Sequence, residues 1–245
     1  MIDVVAGTAE DTWLAWDGLA ALPTSDLLGR PPGTAIVVAP HPDDEVLGAG
    51  GTLRLLHRRG WALHVVAVTD GEGSHPGSRV HSAGELRAIR SREAAAARRS
   101  LGLRRCAVDR LALADGEVAA HEDRLEDHLR RLGPADLVLA PWRHDGHPDH
   151  DACGRAAGRA AAVNGIPLVE YLVWMWNWAG PDDGRVPWDR ARRVDLPAGD
   201  RRRKGSAIDL FASQVRPIGP EPADAAVLPA RVLAHHRRPF EVLLA

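Results

Sequence analysis

Short continuous apolar runs alternate along the chain with longer segments of helical spacing. Residues 35–40, 61–68, 106–113, 135–141 and 166–173 are apolar runs bounded by turn-forming residues, the pattern of buried strands. Between them, residues 52–59, 85–100, 119–132 and 151–164 carry apolar residues on one face and predict helices. The first of these ends in cations and Gly60, the third turns Leu125, Leu129 and Leu132 inward, and the last stops at Asn164-Gly165. Strands alternating with helices predict an α/β chain built on a parallel, doubly wound sheet. Residues 1–33 read as a helical lead-in, with Thr8 as cap and Trp13, Leu14, Trp16, Leu19 and Ala20 at helical spacing. Residues 73–84 are polar and glycine-rich and predict a mobile loop or lid. Trp174, Trp176 and Trp178 alternate with Met175 and Asn177, so an extended segment would put three indoles on one face, as a ligand platform or as core. Residues 217–245 are rich in Pro and Ala and predict a tail wrapping the surface, anchored by Leu233, Phe240, Val242 and Leu243.

At 245 residues the length suits a single α/β domain, here bounded at 34–216. Thirty-one basic and 33 acidic residues leave no overall field to recruit nucleic acid or an anionic membrane, so the expected partner is a small molecule. Self-association stays open. The basic stretch 190–204 has acidic and apolar residues interspersed and reads as a solvent face, with a phosphate-bearing substrate as the alternative. Cys106 and Cys153 lack Cys-x-x-Cys spacing and predict buried thiols rather than a disulfide or a thiolate metal site. No targeting pattern and no long apolar run is present, which makes cytoplasm the expected location.

The chemistry gathers at the ends of two predicted strands. His41-Pro42-Asp43-Asp44-Glu45 follows the first, at the edge where open α/β sheets place ligands. Pro42 and the acidic residues suit a first helical turn. Tightening there would turn His41 and Asp44, three apart, to one side and leave Asp43 pointing elsewhere. After residues 135–141 comes His144-Asp145-Gly146-His147-Pro148-Asp149-His150-Asp151, again a strand ending in His, Pro and Asp. Two such clusters can converge on one cation, zinc by ligand type with iron as the alternative. Gly48, Gly50 and Gly51 are not spaced as a dinucleotide fingerprint and no phosphate-loop Lys-Ser/Thr pair is present; close approach of helix to strand explains them better.

These residues, with Thr69-Asp70-Gly71-Glu72, Arg90-Ser91-Arg92-Glu93, Leu101-Gly102, residues 204–207 and Ser213-Gln214, resemble the PIG-L or LmbE-like family of metal-dependent N-deacetylases over roughly residues 34–215. Pro40 stands where the family has Ala, and Phe211 and Ala212 occupy the neighbourhood of a family His. The resemblance implies a Rossmann-like fold and hydrolysis of an acetamide on an amino sugar, or of a related amide. The expected partner is a glycoside or amino-sugar conjugate; a thiol conjugate or an acylated antibiotic intermediate is the alternative, and a non-catalytic metal-binding module is the rival class. On this reading His41, Asp44 and His150 hold one Zn2+, with Asp43 as base and His147 facing the oxyanion. Asp149 and Glu45 support these groups, and Asp70, Glu72, Arg90, Trp174 and Trp176 contact substrate.

Overall fold

The computed structural model describes residues 7–245, so the first six residues of the expected lead-in lie outside the described residues. Among the described residues the seven strands are β1 (Thr34–Ala39), β2 (Ala62–Thr69), β3 (Ala107–Leu113), β4 (Leu137–Pro141), β5 (Leu168–Tyr171), β6 (Ala191–Asp195) and β7 (Phe240–Leu244). They form one sheet in the order β3-β2-β1-β4-β5-β7-β6, in which β1 to β5 pair in parallel and β7 runs antiparallel to both β5 and β6. From β1 the chain moves outward to β2 and β3, then returns to place β4 on the other side of β1. The direction of winding therefore reverses between β1 and β4, and a crevice opens there at the carboxyl ends of the strands. Both His/Asp clusters sit at those two ends.

The main helices are α1 (Glu10–Leu14), α2 (Asp44–Arg58), α3 (Ala83–Ser100), α4 (Glu122–Arg131), α5 (Pro148–Asn164), α6 (Ala198–Ile208) and α7 (Ala230–His236). Side chains on the central strands alternate between two cores. Ala35, Val37 and Ala39 of β1 pack with residues of α2, α3 and α6, while Ile36 and Val38 pack with residues of α4 and α5. Both sheet faces are covered, which is why β1 and β4 read as unbroken apolar runs.

The glycines of α2 are explained by close packing. A Cβ on Gly48 would lie 2.3 Å from the Tyr171 ring, and one on Gly51 would lie 2.5 Å from Leu196. Tyr171 is fully buried and donates to the Val38 carbonyl at 2.7 Å, so it has little room to yield.

Four expectations are corrected. Residues 217–245 do not merely wrap the surface: Phe240–Leu244 is β7, buried throughout and inserted between β5 and β6. Residues 174–178 are not extended: Met175–Trp178 forms one helical turn, so the indoles do not share a face. The lead-in is two short helices, Glu10–Leu14 and Asp17–Ala20, and Thr8 caps neither; its hydroxyl donates to the Ala179 carbonyl. Within residues 73–84, expected to form a mobile loop, His75 is 6 % exposed and lies against the Ser74 hydroxyl at 3.0 Å.

Candidate active site

The turn from β1 into α2 shapes the first half of the site. Asp43 is the N-cap position of α2, and the His41 backbone N–H donates to Asp44 Oδ2 at 2.8 Å, folding the two residues together. As a result His41 Nδ1 lies 3.1 Å from Asp44 Oδ2. The turn from β4 into α5 supplies the second half. His147 is the N-cap, its Nδ1 accepting from the Asp149 N–H at 3.2 Å, and Pro148 opens the helix. One turn on, His150 Nε2 reaches 3.1 Å from Asp44 Oδ2 and 3.3 Å from His41 Nδ1.

The outward nitrogen of each imidazole is committed to carboxylates. His41 Nε2 lies 3.1 Å from Asp115 Oδ1 and 3.2 Å from Asp149 Oδ2; His150 Nδ1 lies 2.9 Å from Asp145 Oδ2. These acceptors place the ring protons on Nε2 of His41 and Nδ1 of His150 when the rings are neutral. Three lone pairs then converge: His41 Nδ1, His150 Nε2 and Asp44 Oδ2, with edges of 3.1, 3.1 and 3.3 Å. Nothing in that triangle can donate, so either protons or a cation must fill it. Bond lengths of about 2.0–2.1 Å to a tetrahedral metal give ligand separations of about 3.3 Å, and the triangle fits one face of that polyhedron.

Electrostatics point the same way. Asp43, Asp44, Asp145 and Asp149 are buried and Asp115 nearly so, with the Arg90 guanidinium paired to Asp43. Burial works to lower the His41 pKa, but the carboxylates of Asp115, Asp149 and Asp44 outweigh it and raise it well above the usual imidazole value. For His150, burial is likewise overcome by Asp44 and Asp145, which raise it to about 9. A divalent metal would take the place of these protons. Burial pushes His147 the other way, to about 4, with the neighbouring His150 and His41 adding to the effect. His147 is thus neutral, and because Nδ1 accepts from backbone it carries its proton on Nε2.

Asp43 stands beside this triangle and outside it. Its Oδ2 accepts from Arg90 Nη2 at 3.1 Å, and Arg90 Nη1 donates to the Gly71 carbonyl at 2.9 Å. Burial raises the Asp43 pKa, while Arg90 holds it back.

Of the other residues marked in the sequence, Glu45 turns away from the cluster to Arg98 at 3.0 Å. Asp70 pairs with Arg110 and lies 3.4 Å from Arg87, and Glu72 is 3.0 Å from Arg87, so these carboxylates are already engaged in ion pairs. Trp176 is 3 % exposed and packs edge-on against Trp13, with ring centroids 5.0 Å apart; Trp174 is 9 % exposed within the core. Neither forms an open platform. Two site residues escaped the sequence reading. Asp115 sits in an Asp-Gly pair that a turn alone explains, and Asp145 lies between His144 and His147, which by residue type are the stronger ligand candidates.

Ligand atoms of His41, His147 and His150 lie within 4.8 Å of one another, as do those of His41, Asp115 and Asp149. The described residues thus hold a His/Asp cluster able to bind a metal. No helix among them is long and apolar enough to cross a membrane.

A probable N-acetyl-alpha-D-glucosaminyl L-malate deacetylase of Bacillus cereus is 34 % identical over 143 residues, 56 % of this chain and 64 % of that protein. The chain thus spans less than two thirds of the length of this curated relative. Among solved structures, N,N'-diacetylchitobiose deacetylase from Pyrococcus horikoshii superposes with a TM-score of 0.56 at 25 % identity, covering 72 % of this chain and 68 % of the other. The deacetylase of the A40926 pseudoaglycone gives a TM-score of 0.56 at 25 % identity, with coverage of 75 % and 82 %. The model of the PIG-L family, GlcNAc-PI de-N-acetylase, matches residues 36–161, a span that begins within β1 and holds β4 and both clusters. With the motifs and the crevice between β1 and β4 agreeing, this chain belongs to the PIG-L family.

Proposed function

We propose that this chain is a metal-dependent amide hydrolase that removes an N-acetyl or related N-acyl group from an amino sugar or glycoconjugate. The observation that carries the reading is the triangle of His41 Nδ1, Asp44 Oδ2 and His150 Nε2, with edges of 3.1–3.3 Å and with Asp43 and His147 beside it. His41, Asp44 and His150 would hold one divalent metal, zinc by ligand type. Bound there, such a metal supplies Lewis acidity that polarises an amide carbonyl and brings the pKa of water from about 15.7 toward 7.

The chain's own groups divide the remaining work. Asp43, raised by burial yet kept near the site by Arg90, takes the proton of the attacking water. His147, neutral and protonated on Nε2, donates a hydrogen bond to the carbonyl oxygen as negative charge grows there. Asp43 then returns its proton to the departing amine. Asp115 and Asp149 hold His41 on Nε2 and keep its Nδ1 turned inward.

The amino-sugar reading is supported by the B. cereus and P. horikoshii relatives, whose names specify acetylated glucosaminyl and chitobiose compounds. An acylated antibiotic intermediate is the second reading, favoured by the likeness to the deacetylase of the antimicrobial A40926 pseudoaglycone. The test of the mechanism is Asp43→Ala. Turnover is expected to fall by about 10²-fold or more while metal content measured on the same sample stays at one per chain. Activity within a few-fold of the parent would remove the base from this scheme.

A further inference from the structure

Asp145 is fully buried, and both its carboxylate oxygens are taken. Oδ2 meets His150 Nδ1 at 2.9 Å and the Trp174 N–H at 2.9 Å; Oδ1 accepts from the N–H groups of Val173 at 3.0 Å and Met175 at 3.1 Å. Three consecutive backbone donors thus converge on one carboxylate. Its main chain is fixed as well, since Trp178 Nε1 donates to the Asp145 carbonyl at 2.6 Å. Next in sequence, Gly146 has φ +96°, and a Cβ there would meet the same indole at 2.6 Å. Trp178 in turn lies parallel to the buried Trp142 and carries the Arg185 guanidinium on its ring. The aromatic segment therefore grips Asp145 from two directions.

We propose that Asp145 is a positioning residue for the reaction: clamped by residues 173–178, it holds His150 in the tautomer whose Nε2 lone pair faces Asp44 and His41, and so sets how tightly the cluster binds its cation. This rests on the assignment of His41, Asp44 and His150 as ligands. The physical reason is that a carboxylate accepts only, and so requires a proton on Nδ1 of His150. An amide in its place could turn its NH2 to that nitrogen. The proton would then move to Nε2, where it would block the coordinating lone pair. The backbone donors make such a carboxylate costly to rotate, so the preference is built into the fold before any metal arrives.

The inference gives the Trp174–Trp178 stretch a role other than substrate contact. Its turn exists to aim three N–H groups, and its last indole locks the loop that carries Gly146 and His147.

The test is zinc affinity, measured by chelator competition on the parent chain, Asp145→Asn and Trp178→Phe, with the melting temperature of each metal-free sample. Asp145→Asn is expected to weaken zinc binding by about 10–100-fold, and Trp178→Phe by several-fold. A second readout is the ¹⁵N spectrum of His150 in metal-free protein at a pH above about 9, where the ring is neutral. The parent should show a proton on Nδ1 and none on Nε2, and the pattern should be lost or reversed in Asp145→Asn. Unchanged affinity and an unchanged tautomer in folded Asp145→Asn would overturn the proposal, leaving Asp145 a purely structural residue. Should Asp145→Asn not fold, the decision passes to Trp178→Phe, and parent-like zinc affinity there would overturn it. A parent chain that binds no zinc would instead sink the ligand assignment itself.

Discussion

Adjacent carboxylates do different work in this site because the turn into α2 points them apart. Asp44 is pulled back onto the His41 N–H and faces two imidazoles, whereas Asp43 meets Arg90. Arg90→Met is therefore expected to leave Asp43 buried without its cation. Its pKa should rise further, and the acid limb of the activity profile should move to higher pH, because protonated Asp43 cannot act as a base. A pH–rate profile that superimposes on the parent's would contradict this. His147→Ala should reduce turnover about 10²- to 10³-fold with metal content unchanged, as loss of one donor to a developing oxyanion does elsewhere. Much of this is legible in the sequence. The spacing of His41 and Asp44 predicted that they share a side, and the repeat of His, Pro and Asp after a second strand predicted convergence. Asp115 was not legible, because an Asp-Gly pair has a sufficient local explanation as a turn. Yet it follows β3, and the rule that pointed to Asp43 and Asp149 applied there too.

At the level of elements, α2 explains why glycine is needed within a helix otherwise penalised for it. Gly48→Ala would drive a methyl group into the ring of Tyr171, whose hydroxyl is tied to Val38. A loss of about 2–3 kcal/mol is expected from this overpacking, read by denaturant unfolding, and a loss below about 0.5 kcal/mol would show that helix and strand can part without cost. The lead-in and the C-terminal segment are joined by a second device. Glu10 accepts from Arg238 Nε at 2.7 Å and lies 2.6 Å from His235 Nδ1, and Arg238 also covers the Trp176 ring at 4.1 Å. Burial works to raise the Glu10 pKa, but Arg238 and His235 more than offset it and leave it lowered. A carboxylate depressed in the folded state stabilises above its unfolded pKa of about 4.3, and that stability is lost as pH falls through the lower folded value. Glu10→Gln is accordingly expected to cost about 2 kcal/mol at pH 7, with the gap to the parent shrinking as pH falls below about 4.3. A gap that persists unchanged to pH 3 would mean that packing, not charge, joins the two segments. The tryptophans of this region misled the sequence reading for a physical reason. Alternation of large and small residues over five positions fits a strand, whereas the N–H groups of Val173, Trp174 and Met175 turn to the buried Asp145 carboxylate where the helical turn begins.

Over the whole molecule, the strand order places the chemistry. With β1 and β4 adjacent and the chain winding away from both, their carboxyl ends mark the reversal of winding in the parallel part of the sheet. The alternation of strands and helices was enough to predict this architecture. What it did not predict was the antiparallel edge: β6 lies inside the stretch read as a solvent face, and Phe240–Leu244 of β7 is a short strand at the end of a Pro- and Ala-rich segment that finds its partners far back in the chain. Its insertion between β5 and β6 makes the last residues a condition for the sheet, not a covering for it. Removing residues 240–245 should therefore abolish cooperative thermal unfolding, and a truncated chain that melts near the parent's temperature would contradict that placement. The central claim is that the crevice between β1 and β4 hydrolyses an N-acyl amide with the help of a metal. The most direct measurement is acetate release from a panel of N-acetylglucosaminides with small, thiol-linked and bulky aromatic aglycones, with metal content determined on the same preparation. Release from at least one member, lost with a chelator and restored by zinc, is the predicted result; stoichiometric metal with no release from any member would contradict the acetamide assignment.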